Sequence, residues 1–337
     1  MAIAPSDVIR TMGPGMWKSW VGGAVILASL AGTCAVAEEC RLKQVGSLEM
    51  VGGGLDRVVV ELTVGDKPRR FVVDTGGVIS EIYDDVVAEL KLSTQPINPN
   101  LELYDVKGNV AKRFVRLPKV VLGNAQGENW AMVVRPRAPA EDRTINGIIG
   151  PDILKNFDLD FDFAAKKLNL MSPDHCEGKV VYWAPAFLDA DFTLSDERIV
   201  VPMTLDGKDI QAIVDTGASV TAINESVSVR LFGLDTQSKG IEHDPEAAPD
   251  SSLQYRHRFK VLSLAGLAIN NPLIYIFPDL AQKSFFQRHH DKTDFEPQYA
   301  PQLSRTELLL GMNVLRKLHL YVAYKERKLY ITSADAH

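Results

Sequence analysis

The stretch Val58-Val-Val-Glu-Leu-Thr-Val-Gly-Asp-Lys-Pro-Arg-Arg-Phe-Val-Val-Asp74-Thr75-Gly76 lies over Ile199-Val-Val-Pro-Met-Thr-Leu-Asp-Gly-Lys-Asp-Ile-Gln-Ala-Ile-Val-Asp215-Thr216-Gly217 at a shift of 141 residues, without a gap. Thr63 meets Thr204, Lys67 meets Lys208 and Val73 meets Val214. Self-similarity at a fixed shift marks a duplicated structural unit. In each copy a run of alternating character meets a Gly/Asp pair, and a second apolar run ends at Asp-Thr-Gly. That pattern spells a hairpin whose second strand delivers the aspartate.

A second pair of matches extends the repeat. Ile148-Ile149-Gly150 corresponds to Leu309-Leu310-Gly311 at a shift of 161. Each glycine precedes a short amphipathic segment, residues 153–157 and 314–318. Each segment runs into another hairpin, Leu159 to Leu170 turning at Ala165-Lys166 and Leu320 to Ile331 turning at Lys325-Glu326. The chain therefore reads as two copies of one β-rich unit, residues 38–172 and 191–337, joined by a linker over 173–190 that holds Pro173, Cys176, Gly178 and Pro185. The second copy carries about twenty extra residues between its motifs. The polar, aperiodic stretch Ala281 to Arg305 is the natural place for them.

Apolar-apolar-Asp-Thr-Gly followed later by apolar-apolar-Gly resembles the signature of the pepsin-like and retropepsin-like aspartic proteases, and here it occurs twice in one chain. One copy is weak evidence, because a strand-ending turn favours Asp and Gly for conformational reasons alone. Two copies at matching places in a repeat are strong evidence. The resemblance implies a mostly-β, two-lobed, pseudo-twofold acid-protease fold with short helices. It implies Asp74 and Asp215 as catalytic residues, supported by loops holding Thr75, Gly76, Thr216, Gly217, Gly150 and Gly311. The chemistry is consistent with the residues: two like charges about 3 Å apart cannot both ionise, so one carboxyl keeps a proton while the other acts as base. The expected reaction is endopeptidase hydrolysis of a peptide or protein, with no cofactor, metal or covalent nucleophile. The alternative of another class is a catalytically silent peptide-binding pseudoprotease of the same fold.

The remaining composition bounds the setting. The chain has 337 residues, 46% hydrophobic and 24% charged, and a net charge of −6. Its mean hydropathy of −0.04 is that of an ordinary globular protein. No Lys/Arg block stands out, so nucleic-acid binding has no electrostatic support. Residues 1–37 read as a secretory signal peptide: Arg10 and Lys18, the apolar run Val21 to Thr33, then Ala35-Val36-Ala37 before Glu38. Export to the periplasm or beyond, as a monomer free of the membrane after cleavage, is the expectation. A retained single N-terminal anchor is its alternative. Removal of residues 1–37 leaves Cys40 and Cys176, and two cysteines in an exported chain suggest one disulfide, two unrelated buried thiols being the other reading.

The departures from the family pattern are local. Ala218-Ser219 follows the second motif as the resemblance leads one to expect, but Gly77-Val78 follows the first. A flap is expected in Leu101 to Phe114, two strands around Lys107-Gly108-Asn109, with Tyr104 facing substrate. Its counterpart is expected in Leu253 to Phe259. His289-His290-Asp291 sits in the polar insertion without a third spaced ligand and reads as a solvated loop. Ser80 and Ser219 have no triad pattern around them. Gly52-Gly53-Gly54 opens no helix and does not resemble a phosphate loop.

Overall fold

The computed structural model describes residues 41–52, 56–98, 111–139, 141–247, 251, 253–277 and 307–336. Strand Val58–Val64 buries Val58, Val60, Leu62 and Val64 and turns Val59, Glu61 and Thr63 outward, the period-two alternation of a half-buried strand. It turns at Gly65-Asp66 into Lys67–Val73, whose last three residues, Phe71, Val72 and Val73, are buried on both faces. They are central because Ile145–Ile149 runs parallel to them, Ile148 beside Val72 and Ile149 beside Val73. The second lobe repeats the arrangement. Arg198–Leu205 pairs with Lys208–Val214, and Leu308–Leu310 runs parallel to the latter. Continuous apolar runs are what such doubly covered strands require.

Each lobe thereby builds one twisted sheet. Among the described residues the first runs in the order Thr94–Pro96, Arg113–Leu117, Trp130–Arg135, Glu81–Tyr83, Ile145–Ile149, Lys67–Val73, Val58–Val64, Val120–Leu122, Ala125–Gly127. The second runs Ile241–His243, Tyr255–Arg258, Leu273–Phe277, Ala222–Asn224, Leu308–Leu310, Lys208–Val214, Arg198–Leu205, Val261–Leu264, Leu267–Asn270. The two orders match strand for strand. Helices are short: Asp84–Glu89, Pro151–Leu154, Glu225–Phe232 and Met312–Leu315. The fold is the mostly-β, two-lobed one that the repeats imply.

A third sheet joins the halves. Its order is Gln44–Glu49, Lys167–Met171, Asp158–Asp162, then Leu318–Ala323, Lys328–Ser333 and Leu188–Asp191. The first three strands come from the first copy and the next two from the second, while Leu188–Asp191 closes the linker. At the junction Asp160 faces Tyr321, Leu159 faces Val322 and Phe161 faces Leu320. Positions 160 and 321 differ by the repeat shift of 161, so the pseudo-twofold axis passes between them.

On one side of this junction lies a buried polar network. Asp158 and Asp160 are fully buried. Asp158 accepts from the backbone of Tyr324 at 2.9 Å and lies 2.5 Å from His175 Nε2. Asp160 accepts from Asn169 Nδ2 at 2.9 Å and from the Tyr182 hydroxyl, and lies 2.7 Å from His319 Nε2. Trp183 stacks on His319 with ring centroids 3.9 Å apart. His175, Tyr182 and Trp183 all belong to the linker stretch, which is therefore pinned to the sheet.

At the foot of the expected flap, Arg113–Leu117 pairs with Thr94–Pro96 on one side and Trp130–Arg135 on the other. Tyr104 and Gly108 lie outside the described residues. In the second lobe Tyr255–Arg258 falls within the expected Leu253 to Phe259 and pairs with Ile241–His243. Also outside the described residues lie Cys40, Gly53, Gly54, His289, His290, Asp291 and residues 1–37.

Candidate active site

The parallel strand pairs end where the two lobes meet. Asp74 N–H donates to Ile149 O at 2.9 Å and Asp215 N–H to Leu310 O at 3.0 Å, so each aspartate emerges from the centre of its own sheet. The next residue in each motif crosses to the other lobe. Thr75 Oγ1 donates to Val214 O at 2.6 Å and accepts from Thr216 N–H at 3.1 Å. Thr216 Oγ1 donates to Val73 O at 2.6 Å and accepts from Thr75 N–H at 3.2 Å. Both threonines are fully buried, and their four reciprocal bonds leave neither hydroxyl unsatisfied.

The glycines let the carboxyls approach. A Cβ on Gly76 would lie 2.3 Å from Asp215 Cγ, and one on Gly217 would lie 2.5 Å from Asp74 Cγ. Each motif glycine is thus packed against the opposite aspartate, and only hydrogen fits. Asp74 Oδ1 accepts from Gly76 N–H at 3.0 Å and Gly77 N–H at 2.7 Å. Asp215 Oδ1 accepts from Gly217 and Ala218 N–H, both at 2.9 Å.

The two carboxyls feel each other's charge, so their protons belong to the pair rather than to either residue. Burial raises the proton affinity of both. For Asp215 the negative charge of Asp74 adds to burial and holds the acid well above the ordinary carboxylate range. For Asp74 the opposing influences are stronger: the N–H groups of Gly77 and Gly76, the bond from Asp215, and the positive charge of Arg198. Arg198 is buried at the head of its strand, 3.5 Å from Asp196 and 3.4 Å from Ser195 O. The pair therefore holds a proton above the ordinary carboxylate range.

Gly150 and Gly311 are held from behind. Gly150 N–H donates to Ser80 Oγ at 2.9 Å, and Ser80 Oγ donates to Asp152 Oδ1 at 2.7 Å. Gly311 N–H donates to Thr221 Oγ1 at 3.1 Å, and Thr221 Oγ1 donates to Asn313 Oδ1 at 2.7 Å. Ser80 is fully buried in this role, which does not suit a nucleophile. Sequence reasoning missed both bracing pairs and Arg198. The signal was present: Ser80 and Thr221 are related by 141, Asp152 and Asn313 by 161, the two shifts already found in the motifs. Arg198 matches the exposed Arg57 at the same 141, but nothing in the sequence distinguishes which is buried.

The family signature described as aspartyl protease matches residues 60–153 and again 201–314, one match per lobe. The chain belongs to the aspartyl protease family, in a form with two retropepsin-like repeats in one polypeptide. None of the curated proteins matches it closely enough to lend a more particular activity.

Proposed function

We propose that the chain is an aspartic endopeptidase that hydrolyses peptide bonds with a water held between Asp74 and Asp215. The observation that carries this reading is the meeting of the two motif aspartates, one from each lobe, packed so that a Cβ on Gly76 or Gly217 would fall within 2.5 Å of the opposite carboxyl carbon. Ionised Asp74 takes a proton from the water as its oxygen adds to the scissile carbonyl carbon. Protonated Asp215 gives its proton to the carbonyl oxygen, forming a neutral tetrahedral diol. Collapse returns a hydroxyl proton to Asp215 while Asp74 passes its proton to the departing nitrogen. The C–N bond breaks, leaving a carboxylic acid and an amine, and the dyad regains its starting state. The Gly76, Gly77, Gly217 and Ala218 N–H groups hold the carboxylates in place throughout, so little reorganisation accompanies the proton transfers.

The test is substitution without loss of fold. Asp74→Asn and Asp215→Asn are each expected to cut peptide turnover by about 10³-fold or more, since either removes the shared proton. Circular dichroism and melting should stay native-like. Substantial residual turnover in either variant would exclude the mechanism, and absence of turnover in the wild type would favour a peptide-binding module. We further infer that the protein acts after export, on the basis of the basic, apolar and Ala-x-Ala sequence of residues 1–37.

A further inference from the structure

Between the loop that leaves Asp74 and the root of the following hairpin lies a cavity of about 180 Å³, walled mainly by Ile79, Ile97, Phe114, Met132 and Val133, with Asn98 the one polar residue of its lining. A dry cavity of about 150 Å³ lined by such residues accepts benzene, so this one has room for the side chain of leucine or phenylalanine.

The pseudo-twofold axis gives these positions counterparts. Phe114 stands opposite Val133, which is beside Glu81. Arg256 stands opposite Tyr275, which is beside Ala222, 141 residues after Glu81. Ile97 N–H donates to Lys112 O at 3.0 Å and Asp244 N–H to Gln254 O at 2.7 Å, which makes Asp244 the counterpart of Ile97. Where the first lobe has Ile97, Phe114 and Val133, the second has Asp244, Arg256 and Tyr275. These three bond to one another. The Tyr275 hydroxyl donates to Asp244 Oδ2 at 2.7 Å, Arg256 Nη1 lies 3.0 Å from Asp244 Oδ1, and Arg256 Nη1 donates to Tyr275 at 3.2 Å. Arg256 and Asp244 keep partial access to water, with side-chain exposures of 23% and 11%.

We propose that the cleft is chemically one-sided: the apolar cavity of the first lobe seats a bulky apolar side chain, and the Asp244–Arg256–Tyr275 triad of the second lobe turns such a side chain away. The substrate is then a peptide with a bulky apolar residue on one side of the scissile bond only, and a small or polar residue on the other. Seating an apolar group over the triad would strip water from an arginine and an aspartate and return no hydrogen bond. A small or polar residue leaves that water or replaces it. This selectivity rests on the endopeptidase reading of the same cleft.

A peptide matrix tests it. The residues on either side of the cleaved bond are varied among Phe, Leu, Gln and Ser, and kcat/KM is measured with cleavage positions read by mass spectrometry. Peptides with one apolar residue at the bond should be cut at least about tenfold faster than those with two. Equal or faster cutting of the doubly apolar peptides overturns the proposal. The combined variant Asp244→Ile, Arg256→Phe, Tyr275→Val copies the first lobe and should remove the difference. Arg256→Met alone, a gentler change, should reduce it. Ile97→Asp should abolish the demand for an apolar residue. Calorimetric binding of the same peptides with a reduced, uncleavable bond separates the two claims. A singly apolar preference in binding without turnover keeps the one-sided cleft and fails the protease, whereas turnover without preference does the reverse.

Discussion

The hydrogen atoms of Gly76 and Gly217 decide how near the two carboxyls can come. Gly76→Ala and Gly217→Ala each place a methyl group within about 2.5 Å of the opposite aspartate's carboxyl carbon, so both should abolish turnover. Both should also lower the melting temperature, because neither Asp can withdraw without breaking its backbone N–H bonds. A Gly76→Ala enzyme with wild-type kcat would refute the packing described. The pH dependence follows from the same pair. On the acid side the rate falls as ionised Asp74 takes a second proton, and on the alkaline side as the shared proton leaves. Burial raises both events in pH, and residues 77 and 218 supply no hydroxyl to favour the ionised form. The bell should therefore lie at higher pH than ordinary carboxylate proton affinities would place it. Ala218→Ser adds a donor to the charged state and should move the bell toward acid. Arg198→Met removes a cation that favours charged Asp74 and should move the acid limb upward. Plots of kcat/KM against pH for the three proteins check the order, and the reverse order would exclude it.

At the scale of elements, the motif loops depend on braces behind them. Ser80 satisfies Gly150 N–H and caps Asp152, whose proton affinity is raised by burial and moderated by the two Ser80 bonds. Ser80→Ala leaves a buried N–H without its acceptor, at a cost of about 1–3 kcal/mol. Urea unfolding should show that loss, and Thr221→Val should show a similar one in the second lobe. The hairpins and motif strands were legible because their signals are local: period-two alternation, turn residues and a repeated tripeptide. The braces were not, because each joins residues 72 or 92 positions apart, and no local pattern says that a serine will meet an aspartate. The paired shifts of 141 and 161 would have exposed them if applied to every polar residue rather than to the motifs alone.

Among the described residues the halves are tied by the threonine bonds under the dyad, the shared six-stranded sheet and the Asp158–Asp160 network beneath the linker, with the Lys155–Glu197 ion pair at 2.9 Å beside them. The linker's anchoring was not legible in sequence because its side chains meet partners 17, 22 and 149 residues away, as His175 does with Asp158, Tyr182 with Asp160 and Trp183 Nε1 with Thr332 at 2.9 Å. The Cys40–Cys176 bond is proposed as a further tie. It would close a loop of about 135 residues and contribute roughly 4–5 kcal/mol at most. Intact-mass measurement of the exported protein should give a chain beginning at Glu38 with no free thiol. A longer chain, or two alkylatable cysteines without reductant, would count against export processing and the bond respectively.

The central sheet has a further consequence for stoichiometry. Severed at the linker, either half would present a long unpaired strand, Asp158–Asp162 or the fully buried Leu318–Ala323, and such edges recruit partners. Because the axis passes between Asp160 and Tyr321, a copy of the second half put in the first half's place would set Tyr321 against Tyr321 and Leu320 against Val322. Such a self-pair would bring two Asp215 residues together, so the single-chain protein contains within its fold the plan of a symmetric homodimer.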